Sequence, residues 1–94
     1  MTDFRIPVAI RWVDLDAQGH VNNAAVVDYL QEARVSFLLG GPNAHLLGHG
    51  VIVVGHSVEY LAPIAYSEEP LDVTLRLGEV GASRFALGYT IHQE

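Results

Sequence analysis

Ninety-four residues, half of them apolar by type, suffice for one small domain, and no apolar run is long enough for a membrane span. Five arginines, no lysine and eleven acidic residues give a net charge of −6, which repels a polyphosphate backbone and argues against nucleic acid as a partner. The lack of cysteine excludes disulfides, thiolate metal sites and a cysteine nucleophile, and is compatible with a reducing, cytoplasmic setting.

The first residues include an early acid, Asp3, and no apolar h-region, so no targeting peptide is expected. Residues 4–13 then place Phe4, Ile6, Val8, Ile10 and Trp12 on one face at period two, which predicts a strand, with Pro7 suiting an edge. Residues 14–20 are polar and contain Gly19, and read as a loop. Asn22 or Asn23 can cap the helix predicted over 24–39, where Val26, Leu30, Ala33 and Phe37 recur at helical spacing until Gly40, Gly41 and Pro42 end it. Residues 43–50 are a connection. Residues 51–61 are β-branched and apolar on both faces in their first half, which predicts a buried central strand. Residues 71–77 and 83–92 alternate, as half-exposed strands do. The sum is an α+β domain: one long helix packed on an antiparallel sheet. Its positive mean hydropathy suggests that part of the surface meets another subunit.

The densest polar cluster, Asp14, Asp16, Gly19, His20, Asn22 and Asn23, lies between the first strand and the helix N-terminus. The first helical turn offers unsatisfied N–H groups and a partial positive charge, which stabilise an oxygen that becomes negative in a transition state. Gly19 lets a carbonyl approach the backbone closely, and a carboxylate such as Asp16 can attack that carbonyl or deprotonate a water. A thioester suits such a site, because its thiolate leaves without strong acid help. The same residues also describe an ordinary loop, with Asp14 and Asp16 as turn-forming and capping groups and His20 as a loop histidine, and spacing alone favours that description.

Arg11, Trp12, Asp14, Leu15, Asp16, Ala17, Gly19, His20, Val21, Asn22 and Asn23, continued by Tyr29, Leu30, Glu32, Ala33 and Arg34, resemble the signature of the hotdog-fold acyl-CoA thioesterases, the 4-hydroxybenzoyl-CoA thioesterase-like family. Residues 58–64, 69–71 and 83–85 are similar to that family's later strands, so the likeness runs through nearly the whole chain. The resemblance implies a hotdog fold, an antiparallel sheet wrapped around one central helix, and hydrolysis of an acyl-CoA thioester. It implies Asp16 as nucleophile or general base, Asn23 as the backbone N–H that polarises the carbonyl, and Gly19 and His20 beside them. Ser83 and Arg84 match a strand start that approaches CoA phosphates in some members, and Asn22 and Glu32 are assigned to the substrate side. The family's site lies at a dimer interface, which implies a homodimer or homotetramer. No cofactor is implied.

Val26 stands where many relatives carry an aromatic residue, which bears on the pocket. Family members continue into a further long strand, so residues 1–94 are expected to form a single domain lacking it. The alternative is a non-catalytic acyl-CoA or acyl-carrier binding module of the same fold. His45 and His49 are four apart, but Gly48 between them and the lack of a HExxH motif argue against zinc. Arg34 is expected to pair with Glu32 or Asp28. His56 and His92 are expected as surface or satisfied core residues, and Arg76 is a further candidate for a phosphate contact.

Overall fold

The computed structural model describes residues 3–39, 53–82 and 84–93. Three strands form one antiparallel sheet in the order β1 (Phe4–Val8), β2 (Leu71–Val80), β3 (Phe85–His92), and the helix α1 (Asn23–Leu39) packs across it. The register pairs Val8 with Leu71 and Phe4 with Leu75 on one side of β2, and Asp72 with His92 and Leu77 with Leu87 on the other. A register shift between Leu77 and Val80 ends the regular pairing near the β2–β3 turn.

Period-two chemistry places the core. Leu71, Val73 and Leu75 are fully buried beneath α1, while Asp72, Thr74 and Arg76 alternate outward. From the helix, Ala25, Val26, Tyr29, Ala33 and Phe37 form the stripe that meets them. Ala33 has no exposed surface, so the helix backbone approaches the sheet closely at that point. Burying a side chain the size of leucine or valine contributes about 1.5–3 kcal/mol, and this stripe is the main attachment of α1. Phe4, at the start of β1, meets Phe37 edge-on with ring centroids 4.8 Å apart.

Two expectations need correction, and one open choice is resolved. The first strand stops at Val8: Ile10 still reaches the core, but the chain then turns through a short 3-10 segment, Trp12–Asp14, and Trp12 is 72% exposed. The alternation of Trp12 with Ile10 carries over a point where the backbone has already left the sheet. Of the two asparagines, Asn22 is the cap, its side-chain Oδ1 accepting the Ala24 N–H at 2.8 Å, and Asn23 is the first helical residue. The second correction concerns residues 51–61. Their described part, 53–61, pairs with no strand and lies exposed, with Val54 at 86% and Leu61 at 89%. Apolar character on both faces marks a segment that is covered, and within one copy of the chain nothing among the described residues covers it. His45 and His49 lie outside the described residues.

Candidate active site

The polar cluster folds as a small hairpin set against the start of α1. Its arms are joined by backbone hydrogen bonds from Asn22 N–H to the Asp14 carbonyl at 2.9 Å and from Asp16 N–H to the His20 carbonyl at 2.8 Å. Gly19 closes the tip with φ near +80°, a conformation that side chains with a Cβ rarely adopt, and donates its N–H to the Asp16 carbonyl at 3.1 Å. The glycine therefore has a structural reason to be there, besides leaving open space where a Cβ would stand.

The two aspartates are held in different ways. The Asp14 side chain is only 9% exposed, and both its oxygens are engaged. Arg11 donates to Oδ1 at 2.9 Å and to Oδ2 at 2.8 Å, and the Tyr29 hydroxyl donates to Oδ2 at 2.7 Å. Asp16 is exposed; its Oδ1 accepts the Gln18 N–H at 2.9 Å and the His20 N–H at 3.2 Å. Among the described residues no hydrogen bond engages its Oδ2. One oxygen thus orients the carboxylate, and the other is unengaged on an exposed residue. Of the pair, Asp16 is the one sterically open to a ligand.

The Arg11 guanidinium and then the Tyr29 hydroxyl hold the Asp14 carboxyl below its ordinary range. A depressed carboxyl stabilises the fold above the unfolded-state pKa, and that contribution disappears as pH falls through the lower folded value. The melting-temperature difference between the parent and Asp14→Asn should accordingly be largest near neutrality and close below about pH 4. A difference independent of pH from 7 down to 2 would show that the charge of Asp14 is not what stabilises the hairpin.

The remaining candidates are spread more widely. His20 is half-buried, and it is its main chain that builds the hairpin; it also bridges to Ala65. Asn23 opens α1, where its N–H has no intrahelical acceptor, and its carbonyl accepts the Tyr60 hydroxyl at 3.1 Å. Glu32 is exposed more than two turns further along α1, in a groove shared with Pro7, Ala9 and Asp28 beside β1, away from the hairpin tip. Ser83 lies outside the described residues. Arg84 sits at the β2–β3 turn, where its carbonyl accepts the Gly81 N–H at 2.7 Å. Arg84 is about 30 Å along β3 from Gln93, which clamps the site-side residue Ala65, so one chain does not bring Arg84 to Asp16.

Arg34 does not pair with Glu32 or Asp28 as expected; its guanidinium reaches across to the Tyr89 hydroxyl at 3.4 Å, because this side of α1 faces β3. Arg76 meets Asp3 at 3.6 Å on the outer face of the sheet, and His56 and His92 are exposed. Among the described residues no three histidine or acidic side chains converge as a metal set.

Sequence reasoning missed the residues that brace the site. The segment 60–66 crosses the hairpin: the Ile64 carbonyl accepts the Val21 N–H at 2.8 Å, and the Gln93 side-chain amide both donates to and accepts from the Ala65 backbone, at 2.8 and 3.1 Å. Tyr29 offered one readable signal. A tyrosine on the buried stripe of a helix needs a partner for its hydroxyl, and the nearest polar cluster in sequence supplies it.

One helix laid on an antiparallel sheet, with an aspartate-bearing hairpin at the helix N-terminus, is the hotdog arrangement of a thioesterase-type domain. The chain belongs to the thioesterase-like superfamily, whose profile matches residues 10–94. It is similar to the solved structure of a Xanthomonas campestris protein proposed to be an acyl-CoA thioesterase, at 33% identity and a TM-score of 0.75, over 94% of this chain and 75% of that one. It is also similar to a thioesterase from Thermus thermophilus complexed with coenzyme A and zinc, at 30% identity and a TM-score of 0.77, over 93% of this chain and 65% of the other. A proposed thioesterase from Pseudomonas aeruginosa matches at 30% identity and a TM-score of 0.70, over 96% and 68%. No curated protein matches significantly.

Proposed function

We propose that this chain hydrolyses an acyl-CoA thioester, with Asp16 as the reacting carboxylate and the N-terminus of α1 as the oxyanion site. The observation that carries the reading is the contrast between the aspartates: Asp14 is enclosed by Arg11 and Tyr29, and Asp16 is oriented through one oxygen with the other open. The free oxygen takes a proton from water, and the resulting hydroxide attacks the carbonyl carbon; attack by the carboxylate itself, followed by hydrolysis of the anhydride, uses the same geometry. The negative oxygen that develops is stabilised by the Asn23 N–H and the positive end of α1. Collapse breaks the C–S bond and releases CoA as thiolate, which takes up the proton. Gly19 and His20 hold the hairpin, and Asn22 holds the helix start. Glu32 lines the neighbouring groove, where it suits a more distant part of the ligand.

The 4-hydroxybenzoyl-CoA thioesterase-like group is the subgroup this reading favours. The acyl-CoA and coenzyme A descriptions of the Xanthomonas and Thermus relatives support the coarser part of the reading, a CoA thioester as the substrate. No helix among the described residues is long and apolar enough to cross a membrane, and the absence of cysteine accords with a cytoplasmic setting. Thiol release measured across short, long and aromatic acyl-CoAs tests the activity. Saturable binding with no thiol released would assign the chain instead as a binding module.

The exposed stretch 53–61 supports a homodimer as part of the same proposal. It has no strand partner among the described residues, it exposes Val53, Val54, Tyr60 and Leu61, and a two-fold axis would let it pair with its own copy. Such a copy would also be needed to bring Arg84 to the nucleotide end of the ligand. The parent should have twice the chain mass by light scattering, and the double variant Val54→Asp with Leu61→Asp the mass of one chain. A monomeric parent would refute the assembly.

A further inference from the structure

The bonds around Tyr29 form a closed circuit. Tyr29 is 2% exposed in the middle of the helix stripe, yet its hydroxyl donates to Asp14 Oδ2 at 2.7 Å and accepts the Arg11 N–H at 3.1 Å. Asp14 is also clamped through both its oxygens by the Arg11 guanidinium, and its backbone carbonyl accepts the Asn22 N–H at 2.9 Å. Asn22 caps α1 through Ala24, and the first two turns of α1 lead back to Tyr29, seven residues on and therefore on the same helix face. Each link is a side chain or peptide group at hydrogen-bond distance, and the circuit joins three segments that the chain otherwise connects only through the hairpin tip. Asp16 lies two residues beyond Asp14 on that arm, about 7 Å of extended chain away.

We infer that Tyr29 is a positioning residue: through Asp14 it fixes the hairpin arm that carries Asp16 at a set distance from the N-terminus of α1. The inference rests on the thioesterase reading for its kinetic consequence and on geometry alone for the tether itself. A phenylalanine would fill the same volume, so packing does not account for the hydroxyl; it would leave Asp14 Oδ2 with Arg11 as its remaining donor and the Arg11 N–H with no acceptor in the circuit. The arm's polar ties toward α1 would then be the hairpin's backbone bonds, beside the apolar packing of Ile10 and Leu15. A displacement of about 1 Å between reacting groups can lower turnover about 100-fold without weakening ligand binding.

The test compares the parent, Tyr29→Phe, Asp14→Asn and the double variant by steady-state hydrolysis and by amide hydrogen exchange. Tyr29→Phe is expected to lower kcat about 10- to 100-fold with KM held within about 2-fold. The amides of His20 and Asn22 should exchange at least about 10-fold faster, while those of Val73 and Leu75 in β2 keep their parental rates. Asp14→Asn removes the shared acceptor's charge, so it should reproduce the pattern, and the double variant should add little, because both changes break one circuit. Should Tyr29→Phe fold poorly, Asp14→Asn and the parent carry the comparison. Parental kcat, a loss confined to KM, or equal acceleration of exchange in β2 would overturn the inference. An inactive parent would refute the thioesterase reading, and the exchange rates would still decide the tether.

Discussion

Replacing Asp16 by asparagine is expected to lower kcat about 1,000-fold, equivalent to about 4 kcal/mol of barrier, while KM stays within about 2-fold and the melting temperature barely moves. The choice of asparagine follows from how the side chain is held. Oδ1 accepts the Gln18 and His20 N–H groups, and an amide oxygen can accept both in the same place. The hairpin should survive, and what is lost is a group able to take a proton or to attack a carbonyl. Asp16→Ala would mix that loss with the loss of two loop hydrogen bonds. Stopped thiol release with retained CoA affinity, measured on the same preparation, is the expected outcome. Hydrolysis at the parental rate would remove Asp16 from the mechanism.

Asp14→Asn should affect the protein differently from Asp16→Asn, although the two acids are two residues apart. The first should loosen the hairpin and lose its stability difference in acid, and the second should leave both largely unchanged. The sequence alone does not separate them. Either aspartate can serve a loop or a reaction, and the distinction depends on Tyr29, fifteen residues downstream, whose contact with Asp14 exists only once α1 has docked.

What was legible in the chain was whatever depends on local periodicity. The helix stripe at Val26, Ala33 and Phe37 and the alternation of Leu71, Val73 and Leu75 are repeated patterns whose burial follows from the pattern itself. The strand expected over 51–61 depended on a neighbour. Val53, Val54 and Leu61 have the composition of covered residues, but composition does not say whether the cover comes from the same chain, and among the described residues it does not. Trp12 fails for a third reason: a period of two continues in sequence past the end of β1, while the backbone bends toward the hairpin that carries Asp14 and Asp16. The candidate site was therefore readable as a polar cluster in the turn before α1, and unreadable as a set of contacts.

The position of that turn depends in the end on how firmly α1 is seated, and Phe37 is where its far end is fixed. Phe37→Ala is expected to cost about 3–5 kcal/mol, the range for removing a buried aromatic ring. The ring is 2% exposed and meets Phe4 at an interplanar angle of 81°, an edge-on contact that adds to simple burial. A domain of this size has a total stability of about 5–15 kcal/mol, so the loss is a large share of it. It should appear as a lower urea midpoint with an unchanged slope. Val35→Ala, on the exposed side of the same helix, should shift stability by no more than about 0.5 kcal/mol. The contrast matters for the site, because the N-terminal half of α1 is tied by polar bonds through Asn22 and Tyr29, whereas its C-terminal half is held by apolar contact at Phe37 and Leu38. A cost below about 1 kcal/mol for Phe37→Ala would mean that this end of α1 is not seated on β1, and the geometry drawn for the hairpin at its other end would lose its frame.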